Sequence, residues 1–283
     1  MRLLMVSLWL ASSLSAADAT YDGSRVHYED YGKGKEALVF IHGWTCDLTF
    51  WSGQAPVYKK HRALLIDLPG HGRSEKPDVA YTLDRFARAI DAVMRDAGVE
   101  RAVLVGHSMG GPVAFTFLRL FPARTKALVM VDALIPSAPK GDADRAKQKA
   151  WMEPFLRSFR EPNYKETVQK MIETMFSEKT TPAQREEIRS RMIAAPQHVM
   201  ASAIEGTFAL EPPKPGETYT LPVMAVMVAT PGRAGYEARL GGLFPNLKYQ
   251  GWQGSGHFLM MESPDRFNRA LEEFLAGIES AKE

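Results

Sequence analysis

The chain has one cysteine, Cys46, and therefore cannot form an intramolecular disulfide. Cys46 stands in a loop with no base placed to activate it, so it reads as a small, partly buried residue and not as a nucleophile. A His-Glu-x-x-His helix and a dinucleotide-binding glycine fingerprint are both missing, and we expect no cofactor and no metal. An excess of one charge is missing too. Lys and Arg total 35 against 33 Asp and Glu, interspersed, for a net charge of +2, so no nucleic-acid partner is expected. The N-terminal apolar stretch, Leu3 to Leu10, is too short to span a membrane. With Arg2 before it and Ser15-Ala16-Ala17 or Ala17-Asp18-Ala19 after it, residues 1–19 read as a secretory signal peptide. The expectation is a secreted or periplasmic protein starting near Asp18 or Thr20, with no stable membrane insertion.

What the sequence does contain is organised around Val103-Leu104-Val105-Gly106-His107-Ser108-Met109-Gly110-Gly111. An apolar run breaks into Gly-x-Ser-x-Gly and continues at helical spacing through Val113, Phe117, Leu120 and Phe121. This is the form of a nucleophile elbow, in which a strand reverses into a helix and holds a serine hydroxyl out at the helix N-terminus. Pro112 fits the first helical turn, where its missing N–H costs nothing.

At 283 residues with 45% apolar and 24% charged content, the chain suits one large α/β domain with an insertion, or two domains. Tyr21 to Tyr31 reads as an edge hairpin. Buried-strand candidates follow at Ala37 to Ile41, Ala63 to Asp67, Ala102 to Val105, Ala127 to Val131, Val223 to Val228 and Leu247 to Tyr249. Helical patterns lie between them, including Tyr81 to Ala97 with Thr82 as N-cap and a last helix opened by Ser263 and Pro264. Such alternation implies an α/β fold, a mostly parallel sheet with helices on both faces. It stops near Leu134 and resumes near Leu221. The division expected is therefore a core over residues 20–133 and 218–283, interrupted by a helical cap over 134–217, where Thr181-Pro182-Ala183-Gln184 has the form of a capping box.

Four pieces occur in order: His42-Gly43-Trp44, the run Asp67 to Ser74, Gly106 to Gly110, and Gly256-His257-Phe258. In these the chain resembles the α/β-hydrolase superfamily from about Thr20 to the C-terminus. The resemblance implies a serine esterase or lactonase. It makes Ser108 the nucleophile and His257 its base, and assigns the oxyanion donors to the backbone N–H groups of Trp44 and Met109. His42 and His71 suit structural hydrogen bonding, and His107 should point away from the hydroxyl; His42, Trp44, His107 and Phe258 are nonetheless the candidates for substrate contact.

The acid departs from the superfamily's commonest pattern. Ala229-Thr230-Pro231-Gly232-Arg233, after the penultimate strand, contains no carboxylate. Glu237 is near but hard to aim at His257, whereas Asp132 ends the strand after the elbow, where zearalenone-type lactonases and one subgroup of haloalkane dehalogenases resemble this chain in placing their acid. Asp132 is the favoured third member. A serine at the elbow excludes the dehalogenases and epoxide hydrolases, which need a carboxylate there. The reading is hydrolysis of a small to medium hydrophobic ester. Lactone opening and cofactor-free perhydrolase chemistry are enzymatic alternatives, and a receptor-like ligand-binding member is the non-enzymatic one.

Overall fold

Strands lie at Leu14–Tyr21 (β1), Ser24–Tyr31 (β2), Glu36–Ile41 (β3), Ala63–Ile66 (β4), Arg101–His107 (β5), Thr125–Val131 (β6), Val223–Val228 (β7) and Leu247–Trp252 (β8) in the computed structural model, which describes residues 14–280. They form one sheet in the order β1-β2-β4-β3-β5-β6-β7-β8, parallel from β4 to β8 and antiparallel at β1 and β2. The runs in β3 to β7 are apolar almost throughout because a parallel sheet is covered on both faces and leaves few side chains in water.

The edge hairpin turns at Asp22 and Gly23, both at positive φ (50° and 72°), as a two-residue hairpin requires. Its first strand runs back to Leu14, into residues expected to belong to the leader. Asp18 there bonds His27 Nδ1 at 2.9 Å, and Ala19 is buried. Cleavage before Asp18 keeps that contact and cleavage after Ala19 removes it. Arg2 and Leu3 to Leu10 lie outside the described residues.

Helices Leu83–Asp96 (α2) and Gly110–Leu120 (α3) pack on each other and on the sheet; Pro264–Ser280 (α10) packs with the short Ala55–Tyr58 (α1) and the 3-10 turn Leu48–Gln54. Thr82 caps α2 by accepting from Arg85 N–H at 3.1 Å. Between β6 and β7 lie Asp142–Ser158 (α4), Tyr164–Glu173 (α5), Pro182–Ile193 (α6) and Gln197–Phe208 (α7), with the Thr181–Gln184 capping box formed. Phe159, Met192 and Met200 are buried in this insertion, while Trp151 on α4 is 58% exposed. The last strand is longer than the Leu247 to Tyr249 read from sequence, and a four-residue helix, Leu259–Glu262 (α9), precedes α10; Tyr236–Leu243 (α8) lies where expected. The loops after β3, β5, β6, β7 and β8 all leave the carboxyl edge of the sheet, which is where binding crevices of such sheets form.

Candidate active site

Ser108 leaves β5 at a φ of 52°, a left-handed conformation that costs a residue with a side chain of order 1–3 kcal/mol. The turn closes so tightly that a Cβ on Gly106 would sit 2.3 Å from the Gly110 carbonyl oxygen. One on Gly110 would sit 2.3 Å from the Ile41 carbonyl oxygen. Both positions therefore require glycine, and the turn directs the Ser108 side chain away from the strand at the start of α3.

His257, in the loop between β8 and α9, places Nε2 2.8 Å from Ser108 Oγ and Nδ1 2.6 Å from Asp132 Oδ2. An ionised carboxylate only accepts, so Nδ1–H donates to Asp132 and the Nε2 lone pair faces the hydroxyl. Asp132 directly follows β6, again at positive φ (45°), and is buried. Its Oδ1 accepts from Val228 N–H at 2.8 Å and from Arg233 Nη1; its Oδ2 accepts from His257 and, at 3.2 Å, from Arg233 Nη2. Burial would push this carboxyl up, but the hydrogen bond and charge of His257, with those of Arg233, outweigh it and hold the group well below the usual carboxylate range. Glu237, the other acid considered, is exposed at the start of α8.

Two backbone donors flank this chain of three residues. The N–H groups of Trp44 and Met109 donate to no protein acceptor among the described residues. The loop carrying Trp44 lies close to the elbow, since a Cβ on Gly43 would come within 3.2 Å of Ser108 Cβ. Unpaired amides at the N-terminus of a helix and beside it suit a developing oxyanion.

The surrounding side chains hold this geometry. His42 donates from Nδ1 to the Gly43 carbonyl at 2.8 Å and accepts from Leu68 N–H on Nε2 at 3.1 Å. His107 points away from the hydroxyl and donates from Nε2 to the His257 carbonyl at 2.9 Å. Met175 of the cap accepts from His257 N–H at 2.8 Å, and Glu262 accepts from Gly256 N–H at 2.8 Å. Glu262 and Arg233 have no assigned role in the sequence reading, and Met175 enters it only as part of an apolar cap face. Only Arg233 left a signal there, as a cation standing where the superfamily's acid was sought.

His42, His107 and Phe258 have at most 1% of their surface exposed, so they support the reacting groups from behind and offer no side-chain face to a substrate in this conformation. Trp44 differs from the expectation in a similar way. Its buried ring donates to the Met200 carbonyl at 2.8 Å and packs against Phe159 at 5.2 Å, joining the core to the cap. The expected structural hydrogen bonding of His42 and outward turn of His107 agree with these contacts, whereas the direction of the Trp44 ring does not follow from the motif.

Burial pushes the imidazoles of His71 and His107 down to about 3, with further lowering from the neighbouring His42 and His257 respectively. Both are therefore neutral when folded, while the unfolded chain protonates them below about pH 6.5. Their stabilising contribution is complete above that pH and is lost as pH falls towards 3. Denaturant unfolding between pH 7 and 4 should accordingly show the native state losing stability with uptake of about two protons on unfolding. A pH-independent midpoint over that range would contradict this.

A serine at a left-handed strand-to-helix turn, hydrogen-bonded to histidine and aspartate at the carboxyl edge of an eight-stranded sheet, defines a hydrolase of the α/β type. The chain belongs to the alpha/beta hydrolase family, whose pattern matches residues 38–270. Over 267 residues it is 26% identical to a dihydrolipoyllysine-residue acetyltransferase component of an acetoin cleaving system from Cupriavidus necator, covering 92% of this chain and 68% of that protein. A 2-hydroxy-6-oxononadienedioate/2-hydroxy-6-oxononatrienedioate hydrolase from Paraburkholderia phymatum is 38% identical over 113 residues, 38% of this chain and 39% of its own length. Among solved structures, an N-acyl homoserine lactone degrading enzyme superposes with a TM-score of 0.76 at 25% identity, covering 91% of this chain and all of that one. A thermophilic esterase from Thermogutta terrifontis superposes with a TM-score of 0.77 at 24% identity, covering 94% and 99%.

Proposed function

We propose that this protein is a serine hydrolase that cleaves a hydrophobic carboxylic ester through an acyl-enzyme. The observation that supports it most is the 2.8 Å contact between Ser108 Oγ and His257 Nε2, with the other ring nitrogen tied to a buried carboxylate. In this reading His257 takes the hydroxyl proton as Ser108 Oγ bonds to the substrate carbonyl carbon. The carbonyl electron pair moves onto oxygen, facing the N–H groups of Trp44 and Met109. Collapse of the tetrahedral intermediate breaks the ester C–O bond, and the imidazolium returns the proton to the departing alcohol. Water then repeats the sequence on the acyl-enzyme and releases the acid. Asp132 keeps Nδ1 protonated throughout and stabilises the imidazolium.

The cap favours an apolar substrate. Trp151, Phe155 and Phe208 cluster with ring centroids 5.3 to 5.7 Å apart, and Phe155 continues to Phe159 at 5.1 Å, next to Trp44. A lactone is the second reading, supported by the likeness to the N-acyl homoserine lactone degrading enzyme at 25% identity. In both readings we propose that residues 1–19 act as an export leader, so that the mature protein works outside the cytoplasm.

Labelling with a fluorophosphonate followed by peptide mass spectrometry tests the proposal. The expected result is one adduct, on Ser108, that forms in the folded protein and not after denaturation. An adduct elsewhere, or none, would remove the serine-hydrolase reading; an adduct without turnover on any aryl ester or lactone would favour the receptor-like one.

A further inference from the structure

The residue that stands after β7, where the superfamily's acid was sought, has the opposite charge. Arg233 ends the 3-10 turn Pro231–Arg233 and reaches back across the sheet edge to the acid on the neighbouring strand. Its Nη1 donates to Asp132 Oδ1 and, at 3.0 Å, to the Val228 carbonyl; its Nη2 lies 3.2 Å from Oδ2. The Val228 N–H also bonds Oδ1, so β7 and the turn after it grip the carboxylate from one side while His257 bonds it from the other.

We propose that Arg233 is a positioning residue, holding Asp132 in the orientation that meets His257 and, by its charge, extending to lower pH the range in which His257 can accept the serine proton. This rests on the serine-hydrolase reading above. Two physical effects act together. The planar guanidinium engages both carboxylate oxygens, so the group cannot rotate without losing paired bonds. Oδ2 is moreover shared between Arg233 and His257, so a proton arriving on the imidazole creates a second cation against one carboxylate. Arg233 thus offsets part of the attraction that Asp132 exerts on that second cation.

Other groups facing this pair leave Arg233 as the fixed cation in direct contact with Asp132 among the described residues. The His107 ring, 4.7 Å from that of His257, is neutral. Tyr236 and Tyr249 lie near Arg233, and burial pushes both phenols up, Tyr236 to about 12. Arg239 lies over the Tyr236 ring and donates to the Ile135 carbonyl. Glu237 is exposed beyond Tyr249, and Glu262 binds the backbone of the His257 loop at Gly256.

The test compares the full-length protein with Arg233→Met and Arg233→Lys, measuring kcat/KM for a p-nitrophenyl ester from pH 5 to 9, with thermal melting to establish folding. In Arg233→Met the acid limb should move up by about half to one pH unit, while activity on the alkaline plateau falls by less than about tenfold. Arg233→Lys keeps the charge without the fork and should keep the acid limb within about 0.3 unit of the parent's. An unmoved limb in Arg233→Met, or equal shifts in both variants, would overturn the proposal. The imidazole N–H proton resonance of His257, titrated by NMR in the Ser108→Ala background, should show the same ordering without any turnover. That titration judges Arg233 even if no ester proves to be a substrate, so its failure is distinct from failure of the serine-hydrolase reading.

Discussion

Ser108→Ala is expected to lower kcat on a p-nitrophenyl ester by about five to six orders of magnitude while leaving KM and the melting temperature close to those of the parent. The size follows from what the hydroxyl does in the proposed reaction. Without Oγ no acyl-enzyme forms, and the imidazole of His257 has only a water to activate, one that nothing holds in line with the carbonyl. The two backbone donors at Trp44 and Met109 are untouched, so residual rate enhancement over water should persist. Folding should survive because alanine removes one oxygen from a partly exposed site, and both serine and alanine must adopt the same left-handed φ of 52°. Turnover equal to the parent's in this variant would exclude Ser108 as the nucleophile. A loss accompanied by a collapsed melting transition would instead point to misfolding, and the fluorophosphonate experiment on the parent protein then decides.

Asp132→Asn should cost about four orders of magnitude in kcat/KM, and Glu237→Gln should change it by less than about twofold. The aspartate is acceptor-only, and it keeps the Nδ1–H form of His257 by accepting that proton at 2.6 Å. An asparagine can turn its NH2 towards the ring. Arg233 and the Val228 N–H, both donors to Oδ1, favour that choice by claiming the amide oxygen. Nδ1 then becomes the acceptor and Nε2 carries the proton, so the nitrogen that faces Ser108 has no lone pair to offer. Loss of a stabilising charge beside the imidazolium adds to this. Glu237, exposed on α8, has no such role. The pH–rate profiles and melting curves of both variants, measured beside the parent, check the ranking. A larger loss in Glu237→Gln than in Asp132→Asn would move the acid to α8.

Much of this architecture is legible in the chain because it is written in local chemistry. The elbow can be read from Gly106, Ser108 and Gly110, since the clash that demands each glycine arises within a few residues or against the adjacent strand. Thr82 and the Thr181–Gln184 box announce their helices because capping hydrogen bonds span three residues. The inner strands β3 to β7 are visible as continuous apolar runs because that part of the sheet is covered on both faces. Where reading stopped short, the cause was non-local. β1 extends back to Leu14 and pairs along its whole length with β2, a partnership with a neighbouring strand that residues 14–19 do not announce by their own composition.

The sequence by itself determined the class of fold and singled out Ser108 and His257 as the proposed nucleophile and base, because those depend on motifs whose spacing is short and whose order along the chain is characteristic. Only the tertiary structure decided how the acid end is built. Asp132 and Arg233 are 101 residues apart, and nothing in their separate neighbourhoods indicates that β6 and β7 lie side by side with the whole cap inserted between them in sequence. It also turned the Trp44 ring from a candidate substrate contact into a support, since its direction is set by the bond its nitrogen finds on the Met200 carbonyl, 156 residues along the chain. The physical reason is the same in each case. Identity and spacing constrain chemistry over a few residues, whereas charge pairing and burial are properties of neighbours that only the folded sheet creates.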